Sequence, residues 1–494
     1  MRTILITLLA LLAVSPAGLA QNKGAAGAAK PKGLVRVNST LQSYSAAQPW
    51  ERTNPVRRRG LGAVLPGKRI LTTAEMAADA TYIELESSDG TRTAPATVLA
   101  LDYEANLALL APEDPALAGW LQDIKPLRPN GAVTIGETVN IWQLEDNGEA
   151  IRTSGTVRSV DLLSTFIEGH YFLAYEVKAS MQSASSSYTL PVTRDGKLIG
   201  VLTSYSSKDQ ISDVVAPEII ESFLADVKDG TYEGFPSLGI ATVLTEDPLF
   251  RDYLGLTDDQ GGIYISRVVP GSAANDSGLE AGDVILRIDG KAIDRRGYYD
   301  DPLYGRLFWS HLVRGMKKVG DALKLDILRE GKPETITANV RRAPEKLIPD
   351  HIHDSPPAYL IKGGLVFQEL SRQYLEAYGD KWQTRAPLGL LDALRNPEDY
   401  EEGRNRLIFL SRVIATPATI GYENVGNRIV TEVNGQPIAD MESLVEAFRQ
   451  PTDELHMIRI DDVPYVLYLD AEISDVVDKQ LLESGLQSLS RIRE

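Results

Sequence analysis

The hydrophobic positions in the first half of the chain fall into short runs, at 61–65, 69–72, 82–86, 96–101, 107–110, 139–144, 155–160, 172–177 and 198–202. Each run is strand-length, and Gly, Pro, Asn, Asp and Ser cluster between them, so the pattern predicts β-strands. Short strands recurring over roughly 190 residues predict a barrel or sandwich. Asp195-Gly196 reads as a turn into the last of these strands. Residues 217–227 have the pattern of a helix closing this part of the chain.

From 235 to 342 the pattern changes. Ser272 is placed to cap a short helix, and Gly278 to stop it in the left-handed conformation. Asp289-Gly290 and Glu330-Gly331 read as turns between strands. The apolar spacing over 303–313 predicts an amphipathic helix beside a groove. The aromatics Tyr298, Tyr299, Tyr304, Phe308 and Trp309 read as packing around that helix. Residues 343–357 hold Pro344, Pro349, Pro356 and Pro357 and read as a solvated linker.

Beyond the linker the chain repeats itself. Ser266-Arg267-Val268-Val269 recurs as Ser411-Arg412-Val413-Ile414, and VILRIDGKAI at 284–293 recurs as IVTEVNGQPI at 429–438. Both pairs are offset by 145 residues, and one offset shared by two separated motifs marks an internal repeat. The second copy lacks the Pro270-Gly271-Ser272-Ala273-Ala274 helix start and carries an insertion at about 374–402.

Composition narrows the classes. The length of 494 residues predicts about three domains. A net charge of -17 argues against nucleic acid as a partner, because phosphate binding needs clustered Lys and Arg. The chain has no cysteine, which excludes disulfides, thiolate metal sites and a lipoprotein anchor. Met1-Arg2, an apolar run over 4–14 and the small residues ending at Ala20 predict a secretory signal peptide cleaved after Ala20. That run is shorter than the roughly 20 residues a membrane span needs. A cysteine-free exported chain fits a bacterial periplasm, or secretion. Residues 21–33 are rich in Ala, Gly and Lys and read as a flexible leader.

Three segments carry a family resemblance. In 172–203 a strand leads through Ser185-Ser186-Ser187-Tyr188-Thr189 to Leu190-Pro191-Val192, the Asp195-Gly196 turn and another strand. This frame resembles the nucleophile segment of HtrA/Deg serine proteases, whose loop reads Gly-Asn-Ser-Gly-Gly. The resemblance puts Ser187 at the nucleophile position, or Ser186 in a register shifted by one. Leu61-Gly62-Ala63-Val64 with Ile70-Leu71-Thr72-Thr73-Ala74-Glu75 resembles the segment ending in the catalytic histidine, and Glu75 stands in its place. Leu101-Asp102-Tyr103-Glu104-Ala105-Asn106-Leu107 resembles the catalytic aspartate segment, with Asn106 at the aspartate. Later, Ser237-Leu238-Gly239-Ile240, Val269-Pro270-Gly271-Ser272-Ala273-Ala274 and Ala281-Gly282-Asp283-Val284-Ile285 resemble an HtrA-type PDZ domain. Gly363-Gly364-Leu365-Val366-Phe367 resembles the entry to a second, degenerate PDZ, as in plant-type two-PDZ Deg proteases.

The resemblance implies a mainly β fold with some helix: a trypsin-like double β-barrel at 34–230, a PDZ domain at 235–342, the linker, and a PDZ-like domain at 358–494. It also implies that Leu238, Gly239 and Ile240 line a groove for peptides or unfolded-protein C-termini, and that the protein forms homo-oligomers. No cofactor and no metal are implied. The catalytic letters depart from the family. Serine needs an adjacent base, and a glutamate, with a reference pKa of about 4.3, is a poor one at neutral pH. Active alternatives are a Ser187–Lys178 dyad or a Glu75–Asp79 acid–base pair on one helical turn. His351-Ile352-His353 is a candidate metal pair, weighed against a solvated linker. The sequence therefore reads as an exported pseudoprotease that binds peptides or misfolded proteins in a chaperone-like or scaffolding role. A serine endopeptidase with an unorthodox base and a structural oligomer assembled through its PDZs are the rivals.

Overall fold

The structure is a computed structural model that describes residues 33–145, 147–182 and 187–493. The expected signal peptide, the leader up to residue 32 and Ser186 lie outside the described residues. β1 (Leu34–Leu41), β2 (Val56–Val64), β3 (Ile70–Thr72), β4 (Ala80–Glu86), β5 (Thr93–Asp102) and β6 (Leu107–Pro112) close a barrel in the order β1-β2-β3-β6-β5-β4. β7 (Thr138–Leu144), β8 (Ala150–Leu163), β9 (Phe172–Lys178), β10 (Leu190–Arg194), β11 (Lys197–Ser206) and β12 (Ile211–Val215) close a second, and α1 (Pro217–Asp226) follows. Alternation builds each core: Val35 and Val37 of β1 are fully buried in the first barrel, as are Ile141 of β7 and Val192 of β10 in the second. The Asp195-Gly196 turn joins β10 to β11 with both residues at positive φ, the backbone that a two-residue hairpin asks for.

The next sheet contains β13 (Ile240–Leu244), β14 (Ile263–Val268), β15 (Val284–Ile288), β16 (Lys291–Ala292), β19 (Ala322–Arg329) and β20 (Lys332–Asn339). Its order is β13-β14-β15-β19-β20, with β16 on β15, so β13 is an edge. α2 (Pro248–Leu254) lies between β13 and β14 in sequence. α3 (Ala273–Ser277) starts where the Ser272 side chain accepts the Asn275 N–H, and stops at Gly278 with φ 78°.

The expected helix over 303–313 does not form. β17 (Tyr298–Asp301) and β18 (Gly305–Phe308) make a hairpin there, and only α4 (His311–Arg314) is helical. The Asp301 carboxylate accepts the Leu303 and Tyr304 N–H groups and turns the chain. The aromatics of this stretch do not surround a helix. Tyr304 packs on the second barrel, where its hydroxyl meets Tyr175 and Glu218.

The last sheet holds β21 (Tyr359–Lys362), β22 (Leu365–Glu369), β23 (Ile408–Val413), β24 (Arg428–Val433), β25 (Gln436–Pro437), β26 (Leu455–Ile460), β27 (Val466–Asp470) and β28 (Ser490–Arg491). The order is β27-β26-β24-β23-β22-β21-β28, with β25 on β24. The insertion folds as α5 (Arg372–Glu376), α6 (Trp382–Arg385) and α7 (Leu388–Arg395), which bury Leu375, Leu390 and Leu391 with Phe409 and Ile429. α8 (Met441–Ala447) and α9 (Ala471–Glu483) complete the unit. No helix among the described residues is long and apolar enough to cross a membrane.

The connection between the two sheets is not a solvated linker. His353 Nδ1 lies 3.2 Å from Asp79 Oδ2, and its ring stacks on Phe166 and His351. The Asp354 N–H donates to Asp79 Oδ1 at 2.9 Å, and the Asp79 N–H donates back to Asp354 Oδ1 at 2.7 Å. Tyr103 donates to Asp354 as well. His351 meets Glu376 of α5 at 2.9 Å. The histidines are bound by carboxylates from other elements. Among the described residues no cluster of metal-ligand type occurs.

Candidate functional sites

The two barrels meet at Ser187, Glu75 and Asn106. Glu75 sits in a single 3₁₀ turn, Ala74–Met76, directly after β3. Asn106 occupies the β5–β6 turn at φ 54°, a left-handed conformation that asparagine tolerates, and is 1% exposed. Its Oδ1 accepts the Glu75 backbone N–H at 3.1 Å. Ser187 comes from the second barrel, two residues before the fully buried Thr189. The Thr189 carbonyl accepts the Leu61 N–H at 2.9 Å, which fastens this segment to β2.

The hydroxyl protons decide the chemistry. Ser187 Oγ is 2.9 Å from Thr189 Oγ1 and 3.4 Å from Glu75 Oε1, so its one proton has its shorter path to a threonine. A nucleophile engaged with its base lies within about 2.6–3.2 Å. Thr189 Oγ1 itself donates to Glu75 Oε1 at 3.0 Å and meets Thr73 Oγ1 at 2.7 Å. The other carboxylate oxygen of Glu75 pairs with Arg58 at 3.2 Å. The carboxylate is therefore occupied by a threonine and an arginine.

No histidine replaces the missing base. His170 lies between Asp350 and Glu104, His351 and His353 belong to the connection, and His456 bonds Asn434. His311 is buried in α4, and burial pushes its imidazole down to about 4. Lys178 turns to the Asp209 carbonyl. Asp79 does not share a helical face with Glu75: the 3₁₀ turn ends at Met76, and Asp79 has φ 56° and faces His353. Sequence reasoning missed Arg58, Thr73 and Thr189. Arg58 stands in a run of three arginines, which was the available clue.

The second site is the edge strand β13. Gly239 precedes it at φ 78°, and its carbonyl accepts the Val269 N–H at 2.9 Å. A Cβ at this position would overlap Ser272. The Gly239 N–H donates to Ser237 Oγ at 3.1 Å, whereas the Leu238 N–H has no partner among the described residues. Beyond Ile240 the outer edge of β13 is paired with no strand among the described residues. The expected helical wall over 303–313 is replaced by the hairpin and α4, and α4 packs on β9 of the barrel.

The repeat superimposes these elements pair by pair. Ile240 pairs with Val268, Ala241 with Arg267, and after a bulge Thr242 with Ile265. In the second copy Leu365 pairs with Val413, Val366 with Arg412, and after the same bulge Phe367 with Leu410. Gly364 again has positive φ, and its carbonyl accepts the Ile414 N–H at 2.8 Å. The outer edge of β22 is not open, however. β21 runs antiparallel along it and packs against α8 and α9. The Gly363 N–H, which corresponds to that of Leu238, donates to Asp478 Oδ1 at 2.7 Å, and Lys362 Nζ bonds Asp478 Oδ2 at 3.0 Å.

Two closed six-stranded barrels with a serine at their junction, followed by PDZ sheets, define a trypsin-like protease fold with PDZ domains appended. Residues 244–297 and 348–484 each match the PDZ domain family. The chain is 27% identical over 451 residues to chloroplastic Protease Do-like 2 of Arabidopsis thaliana, covering 90% of this chain and 72% of that one. It is 27% identical over 417 residues to mitochondrial Protease Do-like 4 of the same plant, covering 84% and 76%. The periplasmic serine endoprotease DegP of Salmonella typhimurium is 25% identical over 296 residues, 58% of each chain. Among solved structures, HtrA-type protease AlgW with decapeptide matches with a TM-score of 0.47 at 20% identity, covering 64% of this chain and 97% of that one. The chain belongs to the HtrA/Deg family, with PDZ domains.

Proposed function

We propose that this chain is an exported pseudoprotease of the HtrA/Deg family, with Ser187, Glu75 and Asn106 standing where its relatives carry serine, histidine and aspartate. The observation that carries this reading is the environment of Ser187: its hydroxyl is closer to Thr189 than to the carboxylate of Glu75, which Arg58 already pairs. A carboxylate is a weaker base than imidazole, so one at that position gains little driving force for taking a seryl proton. The remaining function is binding. An extended segment from a peptide or misfolded protein adds to β13 as a further antiparallel strand. Its terminal carboxylate is received at the Leu238 N–H beside Gly239 and Ile240. This is supported by the Asp478 carboxylate on the corresponding Gly363 N–H. The protein then works in chaperone-like or scaffolding fashion in envelope protein quality control.

The test is casein turnover together with fluorophosphonate labelling, comparing the native chain with Ser187→Ala. Neither protein should cleave or label. Turnover that Ser187→Ala abolishes would establish the rival endopeptidase instead.

A further inference from the structure

The face of β13 that follows the bulge continues into an apolar ladder. Val243 pairs with Tyr264, Tyr264 with Val284, and Val284 with Leu328, and cross-strand partners share a face. α2 covers the inner part of this ladder, where Leu254 and Leu256 pack on Val284 and Leu328. The outer part stays open. Phe250 of α2 meets Tyr264 edge to face at 5.2 Å and stacks with Tyr253 at 6.5 Å. Tyr253 is 82% exposed and Val243 is 46% exposed. The result is a shelf of three aromatic rings and a valine beside the outer edge of β13, which pairs with no strand among the described residues.

The second copy shows what lies opposite that shelf. On β22, β21 places Lys362 opposite Leu365, Ile361 opposite Val366, Leu360 opposite Phe367 and Tyr359 opposite Gln368. Carried over by the shared pairing, a strand on β13 has its end residue opposite Ile240 and its fourth residue from the end opposite Val243. The built-in strand carries an aromatic residue, Tyr359, at that fourth position. We propose that the segment accepted by β13 is anchored twice, by an apolar end residue and by a large apolar or aromatic side chain fourth from the end that lies on the Val243–Tyr264–Phe250–Tyr253 shelf. This rests on the strand-addition role of β13 proposed above and specifies which segments fill it. A flat ring gains from covering an aromatic surface without a closed pocket.

Titration of the full chain with octapeptides ending in valine tests it. The parent carries alanine at the third and fourth positions from the end, and two others carry phenylalanine at one or the other. Phenylalanine at the fourth position should tighten binding about fivefold or more. At the third position the side chain points to the opposite face, so this gain should be absent. In Tyr253→Ser the advantage of the fourth-position peptide over the parent should shrink to less than half. Tyr253 is exposed, so the variant should fold, and an unchanged melting curve verifies that. Parent binding with no fourth-position advantage, or with an advantage that survives Tyr253→Ser undiminished, overturns the shelf and leaves the binding role of β13 intact. Binding of none of the three peptides overturns both.

Discussion

At the scale of single residues, the barrel junction is a buried hydroxyl network in which proton supply is fixed. Thr189 Oγ1 gives its proton to Glu75 and receives one from a neighbouring hydroxyl. Thr189→Val removes that exchange and leaves Thr73 without its partner. It should cost about 1–3 kcal/mol of stability, read as a lowered denaturation midpoint. Gly239→Ala tests a different constraint. The position combines φ 78° with contact against Ser272, so a Cβ is disfavoured both by the left-handed backbone and by overlap. A loss of roughly 1–3 kcal/mol and weaker peptide binding are expected, measured by melting and titration. A fully active binder with unchanged stability would show that the loop readily rearranges. The positions of Glu75, Asn106 and Ser187 were legible because each stands at a fixed place in a strand-and-turn frame. Thr73 and Thr189 were not, because their bond spans 116 residues and exists only once two barrels meet.

At the scale of elements, the hairpins were legible and the amphipathic stretch was not. Asp289-Gly290 and Glu330-Gly331 both adopt positive φ, so local chemistry decided those turns. Over 303–313 an apolar spacing consistent with a helix was overruled by the Asp301 turn and by docking of Tyr304 onto the barrel. The connection over 346–354 was misread for the same reason: its prolines forecast a linker, but His351, His353 and Asp354 have partners 25 to 275 residues away that no local pattern reports. This strap should respond to pH on both sides of neutrality. Burial opposes charging of His170, but hydrogen bonds to Asp350 and Glu104 outweigh it and hold the imidazole above its ordinary value. That stabilisation is full below the unfolded pKa of about 6.5 and is lost as pH rises through the higher folded value. Burial holds His351 below its ordinary value, Glu376 opposes that in part, and His353 reinforces it. Its contribution is therefore lost as pH falls from about 6.5 towards the lower folded value. Melting temperature against pH should pass through a maximum near neutrality. His170→Gln should flatten the alkaline side and His351→Gln the acid side down to about pH 5, below which carboxylates dominate acid unfolding. A profile unchanged by both variants would remove the strap from the account.

At the scale of the whole molecule, two copies of one fold differ at the corresponding strand edge. The repeat was legible, because a shared offset survives divergence. The difference between the copies was not, because a strand's sequence does not declare which edge it will occupy. In the first copy, among the described residues, β13 keeps a free edge and the amide of Leu238 is unclaimed. In the second, β21 fills the edge of β22, and Asp478 holds the loop amide. β21 is also held from outside: Tyr359 packs against Trp50 of the first barrel's β1–β2 connection and pairs with Arg491 of β28. Displacing it would break its hairpin pairing with β22, its pairing with β28 and the Lys362–Asp478 contact together, while an incoming peptide would replace only the first of these. Titration with a peptide ending in valine should therefore give a stoichiometry of about one per chain, and Gly239→Val should abolish the whole signal, because modest groove affinities leave no surplus to drive such displacement. A stoichiometry near two, or full binding retained in Gly239→Val, would mean that β21 exchanges with ligand and that the second domain is the working site.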